Sequence, residues 1–183
     1  PDRVIPFIGL NGIRDFDPKL LGQIDGLLAT GKFKGMGEIL VRHYSFEAGG
    51  RAGKAGVSAG DFTIPADSPG VDALLKLGAK HRVVVVIHME TTAESVPALE
   101  RALERNPDTR VIWAHQTHIK TLDGSTAAHA RKADPGQIDA LLRRFPNLYA
   151  DIATGYETIF FEPADGTLPA AWKALYETHS DRF

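Results

Sequence analysis

Three residues of this sequence combine the chemistry of metal ligands with a position at the ends of predicted strands. Glu38, His88 and His115 each lie at or near the end of a short apolar run, and the two histidines are 27 residues apart. Because the carboxyl ends of parallel strands meet at one edge of a sheet, we expect the three side chains to share a cavity. Imidazole and carboxylate groups bind zinc and similar divalent ions. Such an ion acidifies water for attack on carbon or phosphorus, so the pattern predicts metal-assisted catalysis at His88 and His115.

The clearest predicted strand is the run from Val83 to Ile87, which leads into His88. Its five β-branched residues show no polar alternation, and this is typical of a strand buried on both faces of a parallel sheet. Shorter apolar runs predict four more strands of the same kind. The five predicted strands cover residues 4–9, 34–39, 83–88, 110–115 and 147–152.

Helix signals follow each of the predicted strands. Asp17-Pro18 and Asp134-Pro135 each combine an N-cap side chain with a proline in the first turn. The predicted helices begin near residues 18, 69, 94, 135 and 169, and apolar residues recur in them at helical spacing. Five β-α units without consecutive strands predict an α/β fold, with a parallel sheet and right-handed crossovers.

This repeat predicts the central portion of a (β/α)8 TIM-type barrel, with residues 1–183 forming a single domain. A complete barrel takes about 250 residues. Strand entries in this sequence share a form, as in Thr109-Arg110-Val111, and the C-terminal Asp181-Arg182-Phe183 repeats it. We therefore expect a further strand to begin there and the barrel to be incomplete in this sequence. Residues 45–66 and 116–133 are predicted to be long polar loops.

Composition narrows the classes of function. The 183 residues are 43% hydrophobic and 24% charged, with a net charge of −2 and no cysteine. Intermixed charges give no electrostatic case for nucleic acid or an anionic membrane as a partner. No apolar run approaches the roughly 20 residues of a membrane span. The sequence therefore predicts a soluble protein with a small-molecule substrate; a cytoplasmic location is favoured, and a homo-oligomer is left open.

Three segments resemble successive strand ends of the amidohydrolase superfamily, especially its amidohydrolase-related and TatD-like metal-dependent hydrolases. They are GMGEI at 35–39, VIHME at 86–90 and WAH at 113–115. The resemblance implies a (β/α)8 barrel with one or two divalent metal ions at its mouth, zinc being the favoured ion. It implies that His88 is the fifth-strand histidine, His115 the sixth-strand histidine and Glu38 the fourth-strand carboxylate.

Two other parts of that family's metal shell are missing from this sequence. It contains no first-strand His-x-His pair, and the eighth-strand aspartate would lie just past Phe183. The resemblance therefore implies about half of a metal shell, and we expect this segment alone to be inactive. For the full-length protein it implies hydrolysis of a C–N or C–O bond in a small molecule. Decarboxylation or hydration of a small carboxylic acid, and a non-catalytic barrel used for binding, stay open as alternatives.

Three further residues are predicted to contact substrate, because they lie in or next to the loops that follow predicted strands. They are His118, Asp151 and His43. Asp151 could equally cap the loop that comes after it. Glu38 could instead form an ion pair with a nearby basic residue, Arg42 or Lys34.

Structural roles are predicted for three of the remaining residues. His81 and His179 fall at the ends of predicted helices, and we expect them to be solvated. Trp113 lies inside a predicted buried strand, and we expect it to belong to the core.

Overall fold

Strands and helices alternate along the part of the chain that the structure describes. The computed structural model describes residues 4–11, 13–43, 62–89, 93–115, 134–152 and 167–183. The strands are β1 (Phe7–Ile8), β2 (Gly35–His43), β3 (Phe62–Thr63), β4 (Val84–Met89), β5 (Val111–Ala114) and β6 (Leu148–Ala150). The helices are α1 (Pro18–Ala29), α2 (Pro69–His81), α3 (Ser95–Arg105), α4 (Pro135–Arg144) and α5 (Ala170–Thr178).

Five of these strands form a parallel sheet in chain order, β1-β2-β4-β5-β6. One helix separates each strand of this order from the next. Sequential parallel strands with intervening helices are the arrangement of a (β/α)8 barrel, of which five β-α units are present here. The predicted fold class, an incomplete α/β barrel, is therefore confirmed.

The strand boundaries differ from the prediction on one side of the sheet. β1 has two residues instead of the predicted 4–9, and β2 continues to His43 instead of ending at residue 39. The predicted loop 45–66 is wrong at Phe62–Thr63, which form β3 and pair antiparallel with the end of β2. β1 pairs with β2 only as far as Met36. Further along β2, Arg42 and His43 pair with β3, which gives the end of β2 a hydrogen-bonding neighbour. Residues 45–61 and 116–133 of the two predicted loops lie outside the described residues.

The helices start where the capping residues predict. Asp17 accepts the Leu20 N–H at 2.8 Å, and Asp134 accepts the Gly136 N–H at 2.9 Å. The five helices begin at residues 18, 69, 95, 135 and 170, within one residue of the predicted starts. Side-chain caps of this kind satisfy donors that the first turn leaves open. Among the described residues, we find no helix with both the length and the apolar character to span a membrane.

The two faces of the sheet are buried to different extents. One face packs against the helices and forms the core. Its side chains include Met36, Ile39, Val85, Ile87, Val111, Trp113 and Leu148, all at most 1% exposed. The alternate residues Val84, Val86 and His88 of β4 are only partly buried. They lie on the opposite face of the sheet, which we call the inner face because it would line the interior of a closed barrel.

The two edges of the parallel sheet differ in what lies beside them. Next to β1, Val4 and Ile5 are 73% and 71% exposed. At the other edge, the Ala150 N–H donates to the Arg182 carbonyl at 3.0 Å. The Val111 N–H donates in the same way to the carbonyl of Asn147, just before β6. The C-terminal residues thus approach β6 as a strand entry does, which is the placement that the sequence predicts for them.

Candidate metal centre

One carboxylate oxygen of Glu38 lies between two imidazoles. Its Oε1 atom is 2.6 Å from Nε2 of His115 and 3.3 Å from Nδ1 of His88. The two imidazole rings meet edge to face, with centroids 5.2 Å apart. One possible ligand atom from each of the three residues lies within 4.8 Å of the other two. The structure therefore brings together the three residues that the sequence predicts as ligands.

β4 presents His88 by regular strand alternation. Its odd-numbered residues Val85, Ile87 and Met89 are buried against the helices, so His88 falls on the inner face. The carbonyl of Met89, the next residue, accepts a hydrogen bond from the Trp113 indole N–H at 3.0 Å. Trp113 is 1% exposed, as expected for a core residue, and its indole also holds the end of the strand that carries His88.

His115 reaches the same cavity through a break in strand geometry. In the pairing of β4 with β5, His88 lies opposite Ala114, so His115 is one residue further along than the repeat suggests. Its backbone has a φ of +60°. The His115 N–H donates to Oδ1 of Asp151, which follows β6, at 2.9 Å. This left-handed turn places the imidazole beside Glu38.

Glu38 is delivered by a bulge in β2. Met36 pairs with Val85 and Ile39 with Ile87, so Gly37 and Glu38 together lie opposite Val86. Gly37 has a φ of +133°, and a Cβ atom there would lie 2.5 Å from the Val86 carbonyl oxygen. Glycine is therefore required at this position, both for the backbone conformation and for the close approach of β4.

Asn11 is a residue of the centre that the sequence prediction missed. Its side-chain oxygen accepts the Glu38 N–H at 3.0 Å, which anchors the bulge from the segment that follows β1. The signal was present, since a polar residue follows the apolar run 4–10 just as His88 follows Val83 to Ile87. An amide is not one of the imidazole and carboxylate groups that predict the metal site, so the sequence pattern does not identify Asn11.

The electrostatics of the centre favour a negatively charged Glu38. Burial would by itself raise the pKa of this carboxyl, but the close contacts with His115 and then His88, and the positive charge of these imidazoles, lower it from 4.5 to about 2. The carboxylate therefore stays charged at neutral pH and offers an anionic oxygen to any cation that reaches it.

The donor set fits a divalent metal ion. Two imidazoles and one carboxylate are a ligand set that catalytic zinc uses, with a further position left for water. The three donors come from β2, β4 and the residue after β5, which are neighbours in the sheet, so strand pairing holds them in one place. Their side chains are 16% to 32% exposed, so the centre is open to solvent in the described part of the chain.

The predicted substrate contacts fall in different places. The backbone of His43 belongs to the end of β2, and His118 lies outside the described residues. Asp151 lies beside His115 and bonds to its backbone. Lys34, one of the two alternative partners predicted for Glu38, donates instead to the carbonyl of Gly31 at 3.0 Å.

His81 and His179 stand apart from the centre, and the prediction that they are solvated is wrong. Nε2 of His81 lies 2.6 Å from Asp25, and Nε2 of His179 lies 2.7 Å from Asp139. Their side chains are 14% and 10% exposed. Each histidine lies at the end of one helix and contacts a carboxylate of the preceding helix, so it links the two helices.

Comparison with known proteins adds a family match to this geometry. A family model described as amidohydrolase matches residues 1–183. No curated protein gives a significant match to the sequence. Among solved structures, the dihydroorotase from Campylobacter jejuni is similar at 15% sequence identity, with a TM-score of 0.45. That match covers 93% of this chain and 46% of the dihydroorotase, so this chain spans about half the length of that protein.

Proposed function

Because this chain belongs to the amidohydrolase family, we propose that the full-length protein is a metal-dependent hydrolase whose ion is held in part by Glu38, His88 and His115. Two imidazoles and a carboxylate form one of the ligand sets of catalytic zinc, and zinc is the ion that we propose. The substrate is a small molecule with a hydrolysable C–N or C–O bond. The observation that carries the proposal is the convergence of these three donors, from neighbouring strands, within 4.8 Å of one another.

The proposed roles divide between the ion and the chain. When bound, the ion supplies an acidified water and polarises the bond under attack. Glu38 contributes negative charge at neutral pH, since its pKa is held at about 2. His88 and His115 contribute neutral nitrogen donors when they are deprotonated. These two histidines are the proposed catalytic residues because they would hold the ion that acidifies the water.

The position of the centre favours a reaction site over a packing contact. His88 and His115 lie at the carboxyl ends of β4 and β5, and Glu38 comes from the neighbouring strand β2. Polar groups at the carboxyl ends of parallel strands are where barrel enzymes carry out their chemistry.

The proposal is tested on the full-length protein by elemental analysis, followed by assays on panels of small amides, lactams and esters. We expect about one or two divalent ions per chain and a hydrolysis that a chelator removes and zinc, but not magnesium, restores. Release of carbon dioxide from small carboxylic acids, without hydrolysis of any panel, would replace this function with decarboxylation. A protein that binds no divalent ion would overturn the proposal.

A further inference from the structure

We infer that Asp151 is a positioning residue of the candidate metal centre: its carboxylate holds the backbone of His115 in the conformation that turns the imidazole toward Glu38. The expected effect of Asp151 on metal binding rests on the proposed function. Its effect on the position of the His115 imidazole does not, and can be measured in the metal-free protein.

The register of the sheet creates the need for such a residue. His88 lies opposite Ala114, so His115 comes one position too late to share the inner face by alternation. An extended strand would place the His115 side chain on the same face as Trp113, two residues earlier, which is buried against the helices. The imidazole instead lies 2.6 Å from Glu38.

The turn that corrects this register is not one that a histidine backbone favours. A φ of +60° lies in the left-handed region, which residues with a Cβ atom occupy sparsely. Such a conformation persists when surrounding contacts hold it. Oδ1 of Asp151 accepts the N–H of His115 itself at 2.9 Å, on the residue that makes the turn.

Asp151 is fixed in turn by the sheet. Asp151 is the first residue after β6, and its own N–H donates to the carbonyl of Trp113 at 3.2 Å. The main chain of Asp151 thus continues the pairing of β6 with β5, while its side chain accepts the N–H of His115, the residue after β5. Two hydrogen bonds between the same two chain segments set the position of the carboxylate relative to His115.

This role differs from the substrate contact that the sequence predicts for Asp151. A backbone N–H needs only an acceptor oxygen, which an asparagine side chain supplies in the same place. A charged contact with substrate needs the carboxylate. Asp151→Asn should therefore keep the positioning and Asp151→Ala should lose it.

The first test uses the metal-free full-length protein with 15N-labelled imidazole rings, observed by NMR. We expect the His115 ring signals to shift in Asp151→Ala because the contact with Glu38 is lost, and to stay near their wild-type positions in Asp151→Asn. The matched control is Asp134→Ala, which removes another carboxylate that accepts a backbone N–H, at the start of α4. Unchanged His115 ring signals in Asp151→Ala would overturn the inference.

The second test measures zinc affinity by competition with a chromophoric chelator, with the visible spectrum of cobalt-loaded protein as a check on coordination. We expect Asp151→Ala to bind zinc about 10- to 100-fold more weakly, as for other residues that orient a ligand, and Asp151→Asn to bind within about threefold of wild type. Asp134→Ala should lower the melting temperature and leave zinc affinity unchanged.

The outcomes separate this inference from the proposed function. If the wild-type protein binds no ion but Asp151→Ala shifts the His115 ring, the proposed function fails and the positioning role holds. If the wild-type protein binds zinc and Asp151→Ala binds it equally well, the positioning role fails. Equal losses of affinity in Asp151→Asn and Asp151→Ala would show that the charge matters, and would also overturn the inference.

Discussion

The imidazole of His115 contacts the carboxylate of Glu38 across an intervening strand. Glu38 belongs to β2 and His115 is the residue after β5, and β4, which carries His88, lies between those strands. Contact over this span requires the bulge at Gly37 and the left-handed turn at His115. The centre therefore depends on local departures from regular strand geometry as much as on its three donor side chains.

Replacing either histidine should remove the metal from the full-length protein. In His88→Ala and His115→Ala we expect zinc affinity to fall by at least about 100-fold and metal-dependent turnover to be lost, because each imidazole is one of the three donors found in the described part of the chain. Both side chains are partly exposed, so the free energy of unfolding should change by no more than about 1–2 kcal/mol. Equilibrium dialysis and urea unfolding measure the two quantities.

His81→Ala is the matched control for these two variants. His81 also contacts a carboxylate, that of Asp25, but does so between α1 and α2. It should lose some stability and keep full zinc affinity. Wild-type activity in His88→Ala or His115→Ala would contradict the catalytic assignment.

The stability of the metal-free protein should depend on pH through Glu38. Its pKa in the folded state, about 2, lies below its ordinary value of 4.5, so folding favours the charged form. This stabilisation is complete above about pH 5 and is lost as the pH falls toward 2. The full shift corresponds to about 3 kcal/mol, and because the side chain is 21% exposed we expect solvent screening to leave about 1–2 kcal/mol.

Urea unfolding of wild type and Glu38→Gln, in the presence of a chelator, measures this effect. The difference in unfolding free energy between the two proteins should shrink steadily between pH 5 and pH 2, since glutamine does not titrate. A difference that stays constant over this range would show that the carboxylate gains nothing from the two imidazoles.

A methyl group at Gly37 should disturb both the sheet and the centre. Its Cβ atom would lie 2.5 Å from the Val86 carbonyl oxygen, and the φ of +133° strains any residue other than glycine. We expect Gly37→Ala to lower the free energy of unfolding by more than about 2 kcal/mol and to weaken zinc binding, because Glu38 is the next residue.

Gly22→Ala is the control for the glycine substitution. Gly22 lies within α1, where an added Cβ atom would meet nothing within 4 Å. Alanine there should raise the unfolding free energy by about 0.5–1 kcal/mol, because it favours the helix. Equal stability of Gly37→Ala and wild type would show that the bulge adapts, and the argument for glycine at this position would then be wrong.

Residues 1–183 expressed alone should self-associate. Val4 and Ile5 expose apolar side chains beside β1, the edge strand of the sheet. Open apolar edges promote contact between chains. We expect sedimentation velocity to show larger species as concentration rises, and Ile5→Lys to reduce them. Leu27→Lys, at an exposed apolar position on α1, should have little effect. A monodisperse wild-type monomer would contradict the prediction.

Local patterns were sufficient for the main elements of the fold. The β-branched run before His88 predicts β4 because burial on both faces of a parallel sheet removes the polar alternation. Asp17 and Asp134 predict two helix starts because a cap acts within three residues of chain. In each case the interactions that determine the element lie inside the segment being read.

The same local patterns do not predict contacts between segments that are distant in the sequence. The bonds of Asn11 to Glu38 and of Asp151 to His115 join residues 27 and 36 positions apart. β3 pairs with the end of β2, whereas β1 pairs with β2 only as far as Met36. The offset between His88 and His115 depends on register, which the spacing of two histidines does not reveal.

The indole of Trp113 gives the protein an optical reporter of its own centre. Its N–H bonds to the carbonyl next to His88, and its ring is shielded from water. The chain contains two tryptophans, and the other, Trp172, stacks near Tyr176 on α5. Replacing Trp172 with phenylalanine therefore leaves Trp113 as the one tryptophan of this chain. Emission excited selectively at the indole, rather than at the four tyrosines, then follows events at His88 without an added label.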